Sequence, residues 1–146
     1  MIRGNMKWQE LASTSHFQTA EAIKRELMAG HVDEATTGIE ELIEALGRSE
    51  RRALRSQLTR LMMHIIKWKI QPNQRSRSWS VTIENARVEI EEILEEEPSQ
   101  KQNISELWNK CFQTAKRLAH QETGVLPQIE ELSETEVFEK VYMLKE

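Results

Sequence analysis

With 146 residues the chain is long enough for one sizeable core and short for two domains. A charged share of 30% against a hydrophobic share of 38%, with only five Gly and three Pro, suits long helices with wide solvated faces and argues against a sheet protein. The lone Cys111 excludes an internal disulfide, the apolar runs fall short of a membrane span, and the N-terminus lacks the apolar stretch of a secretory signal, so a soluble cytoplasmic protein is expected.

In chain order, Trp8, Leu11, Ala12, Ala20, Ile23 and Leu27 recur at helical spacing and predict a helix from about Met6 to Ala29, stopped by Gly30. His16 and Phe17 interrupt its middle, which leaves a shorter pair of helices open. Thr37-Gly38-Ile39-Glu40 has the form of a capping box and predicts a short helix with Ile39, Leu42, Ile43 and Leu46 inward, ending near Gly47. Ser49 caps the next, about Glu50 to Ile70, whose stripe is Leu54, Leu58, Leu61, Ile65 and Trp68. Gly47 is alternatively a kink in one continuous helix. Pro72 ends that helix by removing a donor and biasing Gln71 away from helical backbone.

Ser76 or Ser78 opens a helix to about Glu96, with Trp79, Ile83, Ala86, Ile90 and Leu94 inward. Pro98-Ser99 starts another, to about Glu122, with Ile104, Leu107, Trp108, Cys111, Phe112, Ala115, Leu118 and Ala119 on its apolar side, and Thr123-Gly124 stops it. Asn103-x-x-Glu106 is a second cap candidate inside that span. Ser133-x-x-Glu136 is a further capping box, opening a short C-terminal helix over about 133–143. The expected fold is all-α: a single-domain helical bundle, residues 1–146, of about five to seven helices.

The middle of the chain carries, in order, Ile39-Glu40-Glu41-Leu42, Leu46-Gly47-Arg48-Ser49-Glu50-Arg51-Arg52, Leu54, Leu58, Leu61, His64 and Lys67-Trp68. Pro72, Arg75, Ser78-Trp79, Arg87, Pro98-Ser99 and Ala115-x-Arg117-Leu118-Ala119-x-x-Glu122-Thr123-Gly124 continue the string. On these residues the chain resembles the bacterial family catalogued as domain of unknown function twenty-nine. The resemblance covers about residues 7–126 and implies an all-helical fold whose members are often encoded beside one another. It brings no activity. The family's aromatic-rich opening is reduced here to Trp8, and its Pro-Cys-Pro-Tyr-like element before the last helix is replaced by Gln128 to Ser133.

Charge is unevenly spread. Ten Lys or Arg face two Glu between Arg48 and Arg87, a local balance of +8, so the remainder carries −12 of a total of −4. Arg48, Arg51, Arg52 and Arg55 lie close together on one helical face, where they either meet phosphates or pair with Glu40, Glu41, Glu44 or the acidic run Glu89 to Glu97. Arg75, Arg77 and Trp79 form a basic loop that ends in an aromatic at a helix start, either an anion site or a solvated loop with Trp79 in the core. His64, at the margin of the Leu stripe, is a general-base candidate or a half-buried structural histidine. Glu44, Glu50, His64, Trp79 and Arg87 border their apolar faces and make a candidate polar network between helices.

The histidines and Cys111 show no metal-ligand spacing, and no Gly-rich phosphate loop or nucleophile elbow is present, so no metal, no cofactor and no catalytic residue is expected. The leading expectation is a non-enzymatic module that binds a protein partner, a second copy or a related chain, through complementary charge. A nucleic-acid or phosphate binder using Arg48, Arg51, Arg52, Arg55, Arg75 and Arg77 is the second reading. An enzyme built on His64 and a neighbouring Glu is the third.

Overall fold

The computed structural model describes residues 5–145, with side chains from residue 7; residues 1–4 and 146 of the expected domain lie outside them. Five helices account for most of the chain: α1 (Asn5–Thr14), α2 (His16–Met28), α3 (Val32–Ile70), α4 (Arg77–Glu96) and α5 (Lys101–Thr123). Among the described residues there is no strand, as the composition requires. The contacts divide the chain into two compact units, 1–50 and 51–146, with the division inside α3.

In the first unit the pair of helices forms rather than one long helix. Ser15 takes an extended backbone (φ −154°, ψ 114°), and its hydroxyl accepts from the Gln18 amide at 3.1 Å, so the cap that starts α2 is also what ends α1. Gly30, at φ 84°, turns the chain out of α2. The core here is Trp8, Ile23 and Ala35, with Leu11, Ala22 and Leu42 packed against it. Gly38 belongs to this core as an absence of side chain: a Cβ there would sit 2.7 Å from Ile23 Cγ1 and 2.9 Å from the Trp8 ring.

Expectations about this stretch are corrected. The helix starts at Val32, not at Thr37, whose hydroxyl donates to the Asp33 carbonyl at 3.1 Å within the helix instead of capping it. Of the two readings at Gly47, the continuous helix is the one that forms, and Ser49 caps nothing; an interior Gly costs about 1 kcal/mol, too little to interrupt 39 residues of helix. Ile39, Ile43 and Leu46, expected inward, are exposed, as is Leu27.

The second unit is built on the expected stripe. Leu54, Leu58, Leu61, Ile65 and Trp68 of α3 are buried, and so are Met62 and Ile66, because α3 is covered on more than one side. Ile83, Ala86 and Ile90 come from α4, and Leu107, Cys111, Phe112, Ala115 and Ala119 from α5. The local signals act as read: Pro72 follows the end of α3, the Ser76 hydroxyl accepts from the Trp79 amide at 3.2 Å, and Gly124 (φ 74°) caps α5. Asn103 is no cap; its amide donates to Gln100 Oε1 at 2.7 Å.

After α5 the chain runs back over the bundle. The Ser133 capping box closes in both directions, Ser133 N to Glu136 Oε1 at 3.2 Å and Glu136 N to Ser133 Oγ at 3.1 Å. It opens only one wide turn, Thr135–Glu139, closed by the Lys140 amide on the Thr135 carbonyl at 2.8 Å, and not a helix to residue 143. Extended backbone at Lys140 (ψ 137°) then alternates the side chains, Val141 out and Tyr142 in. Leu132, Val137 and Tyr142 complete the core.

Candidate functional site

The clustered arginines divide once the helices pack. Arg48 lies 3.9 Å from Glu44, one turn back, and Arg51 donates to Glu106 of α5 at 2.7 Å. Arg52 and Arg55 instead line a groove of about 540 Å³ between α3 and α5, together with Arg60 and Lys110. Ser56, Thr59 and Thr114 add hydroxyls to its wall, and no carboxylate lines it. Cys111 forms part of its wall, its thiol donating to the Arg55 carbonyl at 3.6 Å and pushed up in pKa by burial. Sequence spacing sets Arg60 on another sector of α3, apart from the arginine cluster; packing against α5 brings it and Lys110, which the sequence reading did not single out, to the same groove as Arg52 and Arg55.

Arg75 and Arg77 do not extend that groove. Arg75 Nε donates to the Trp68 carbonyl at 2.7 Å with its guanidinium 5.0 Å from the Trp68 ring, so it caps the end of α3. Arg77 is exposed at the start of α4. Trp79 is half-buried and presents its ring to Lys67, whose Nζ stands 4.6 Å from the centroid.

Lys67 is the unexpected member. Its side chain is 4% exposed, and its ammonium donates to Glu122 of α5 at 2.7 Å. The sequence counts Lys67 among the basic residues of the central stretch and places both in the family likeness, but does not pair them. His64, one turn before Lys67, bonds through Nδ1 to the Arg60 carbonyl at 2.9 Å. A carbonyl only accepts, so Nδ1 carries the proton and Nε2 is left as an acceptor. Burial holds its pKa below 6.5, assisted by the nearby Lys67 charge and opposed by the Arg60 bond and Glu122.

Arg87, buried on α4, donates from Nε to the Val137 carbonyl at 2.8 Å and from Nη2 to the Glu136 carbonyl at 3.3 Å. Glu136 itself takes Lys69 of α3, whose hydrogen bond holds its carboxyl below the usual 4.5. Tyr142 Oη donates to the Glu136 carbonyl at 2.8 Å, and burial pushes its pKa up to about 12. Of the candidate network, then, His64, Trp79 and Arg87 each bond to other groups rather than to one another; Glu44 takes Arg48, and Glu50 is half-buried in the first unit.

In the first unit, Val32, Ile39, Ile43 and Leu46 share one sector of α3 and are 57%, 43%, 64% and 41% exposed. Ala35, Gly38, Leu42 and Ala45 occupy the neighbouring sector and are buried or half-buried. Among the described residues no group of three or more His, Cys, Asp or Glu comes together to hold a metal ion, and no helix is long and apolar enough to cross a membrane.

No curated protein and no solved structure matches the chain. The profile of one family does, over residues 16–145, starting later than the likeness read from the sequence and continuing through the C-terminal segment that carries Glu136, Val137 and Tyr142. That span covers most of the chain and every side chain of the Lys67, Arg87 and α3–α5 groove sites: the protein belongs to the family described as Domain of unknown function DUF29.

Proposed function

We propose that the chain is a non-enzymatic helical interaction module that docks another protein along the N-terminal half of α3. The observation that carries this reading is the exposed row Val32, Ile39, Ile43 and Leu46. Their 7-, 4- and 3-residue spacing is that of a helix-pairing seam, and contiguous apolar surface is costly to leave in water. Asp33, Glu40 and Glu44 flank the row, which favours a partner helix whose apolar stripe is edged with Lys or Arg. The exposed Arg48, Arg52 and Arg55 of a second copy, or basic residues of a related chain of the family, supply positive charge of that kind. A bacterial cytoplasmic setting agrees with the single thiol.

The test is Ile43→Asp, at a position open to solvent, followed by sedimentation equilibrium and low-salt co-purification. Loss of self-association or of a stoichiometric protein partner supports the reading. A wild-type chain that is monomeric and recovers no protein partner at low salt ends it.

The α3–α5 groove favours a second reading, a phosphate or nucleic-acid binder. Four cations and three hydroxyls without a carboxylate suit phosphoryl oxygens. Binding of this kind weakens steeply with salt and is lost in the pair Arg52→Glu, Arg55→Glu. Affinity indifferent to both excludes it.

A further inference from the structure

A second groove of about 850 Å³ in the second unit runs between α4, the start of α5 and the C-terminal segment. Its volume is that of a site for a small organic ligand. Ile90, Leu94, Ile104 and Phe138 supply apolar wall, and Arg87 and Lys101 supply positive charge.

Arg87 decides the ligand. It is only 8% exposed, and both of its protein hydrogen bonds go to backbone carbonyls. Carbonyl oxygens orient a guanidinium without neutralising it, and the Tyr142 ring 5.6 Å away does no more than soften the charge. Glu91 and Glu134 also line the groove, yet both are exposed, and no carboxylate among the described residues forms an ion pair with Arg87. Nε and Nη2 are engaged, which leaves the Nη1 end without a protein acceptor. A buried cation that lacks a counter-charge and borders an apolar cavity is matched by an anion with an apolar body. The two glutamates balance Arg87 and Lys101 over the groove as a whole, so a polyanion gains no net field, whereas a single carboxylate gains the local match at Arg87.

We propose that this groove binds a monocarboxylate with an apolar tail, its head on Arg87 and its chain along Ile90, Leu94 and Ile104. The site is independent of the α3 docking row and of the α3–α5 groove.

Calorimetric titration with decanoate and with decanol, on the whole chain, tests it. Decanoate binds at one equivalent, and decanol, of equal apolar length without the charge, binds about tenfold or more weaker, the worth of a charge-assisted hydrogen bond. Because Arg87 also holds the C-terminal segment, Arg87→Ala risks the fold. Ser105→Trp therefore provides the second variant: Ser105 is exposed and lines the groove, so an indole there fills the cavity without entering the core. Decanoate binding is lost in Ser105→Trp while the thermal midpoint holds. Equal affinity for decanoate and decanol, retention of binding in Ser105→Trp, tighter binding of a peptide ending in Leu, or no binding by the wild type overturns the proposal.

Discussion

Lys67 and Glu122, 55 residues apart, meet at 2.7 Å with the lysine buried and the glutamate at the surface. The Trp79 ring of α4 stands 4.6 Å from the same ammonium, so α3, α4 and α5 all contribute to one charge. The arrangement fixes the register of α5 against α3 through a group that would be costly to leave unpaired.

Glu122→Gln removes the counter-charge and leaves the ammonium in place. We expect a loss of about 1–3 kcal/mol in urea unfolding, the lower part of the range because Glu122 is half in solvent. Lys67→Met, which removes the charge and keeps the length, costs less than Glu122→Gln. The opposite order would mean that the pair stabilises the fold by attraction and not by relieving a burial penalty.

Gly38→Ala places a methyl group 2.7 Å from Ile23 and 2.9 Å from Trp8. The gain in helix propensity is about 1 kcal/mol, and overpacking costs about 1–3 kcal/mol, so a net destabilisation is expected. Gly47→Ala, with open space around its Cβ, stabilises the protein instead. Thermal melts of the two variants should move in opposite directions.

Leu61→Ala, at a fully buried position, costs about 2–5 kcal/mol. Ile43→Ala, on the same helix and solvent-exposed, changes the stability of the isolated chain by less than about 0.5 kcal/mol. Denaturant midpoints of the pair check which face of α3 is the core.

The pH dependence has a sign. His64 has a folded pKa below its ordinary 6.5, so the unfolded chain binds its proton more readily. The stability it contributes is present above pH 6.5 and falls as pH drops from there through the folded value. Glu136, held below 4.5 chiefly by Lys69, adds a second loss below its ordinary value. Unfolding free energies measured down the pH scale should show the first decline vanish in His64→Gln while the second persists.

Much of the fold was legible because it is written in local chemistry. Ser76, Pro72, Gly124 and the Ser133–Glu136 box act through neighbours a few residues away, and the Leu54–Leu61 stripe through helical period. The start of α3 was misread because Thr37 has two uses for its hydroxyl, and helix already in place at Val32 gives it the Asp33 carbonyl. Ile39, Ile43 and Leu46 carry the same periodic signal as a buried stripe; periodicity says that a face is apolar, not that this chain covers it. The arginines were found as a group but not sorted, since Arg51 finds Glu106 and Arg52 finds Lys110 as a groove neighbour only when α5 is in place. The burial of Lys67 was not legible: a lysine in a basic stretch, on another sector from the arginine cluster, has no sequence signature of burial.

The C-terminal segment carries a consequence for the order of assembly during synthesis. Leu132, Val137 and Tyr142 belong to the same core as α3, α4 and α5, and Ser80, Arg87 and Trp108 are held by carbonyls of residues 132–142. Translation delivers those residues after the three helices. Until they leave the ribosomal exit tunnel, Arg87 lacks its carbonyl acceptors and the apolar faces around it stay wet, so the core of the second unit is completed only after α3, α4 and α5 have all been made.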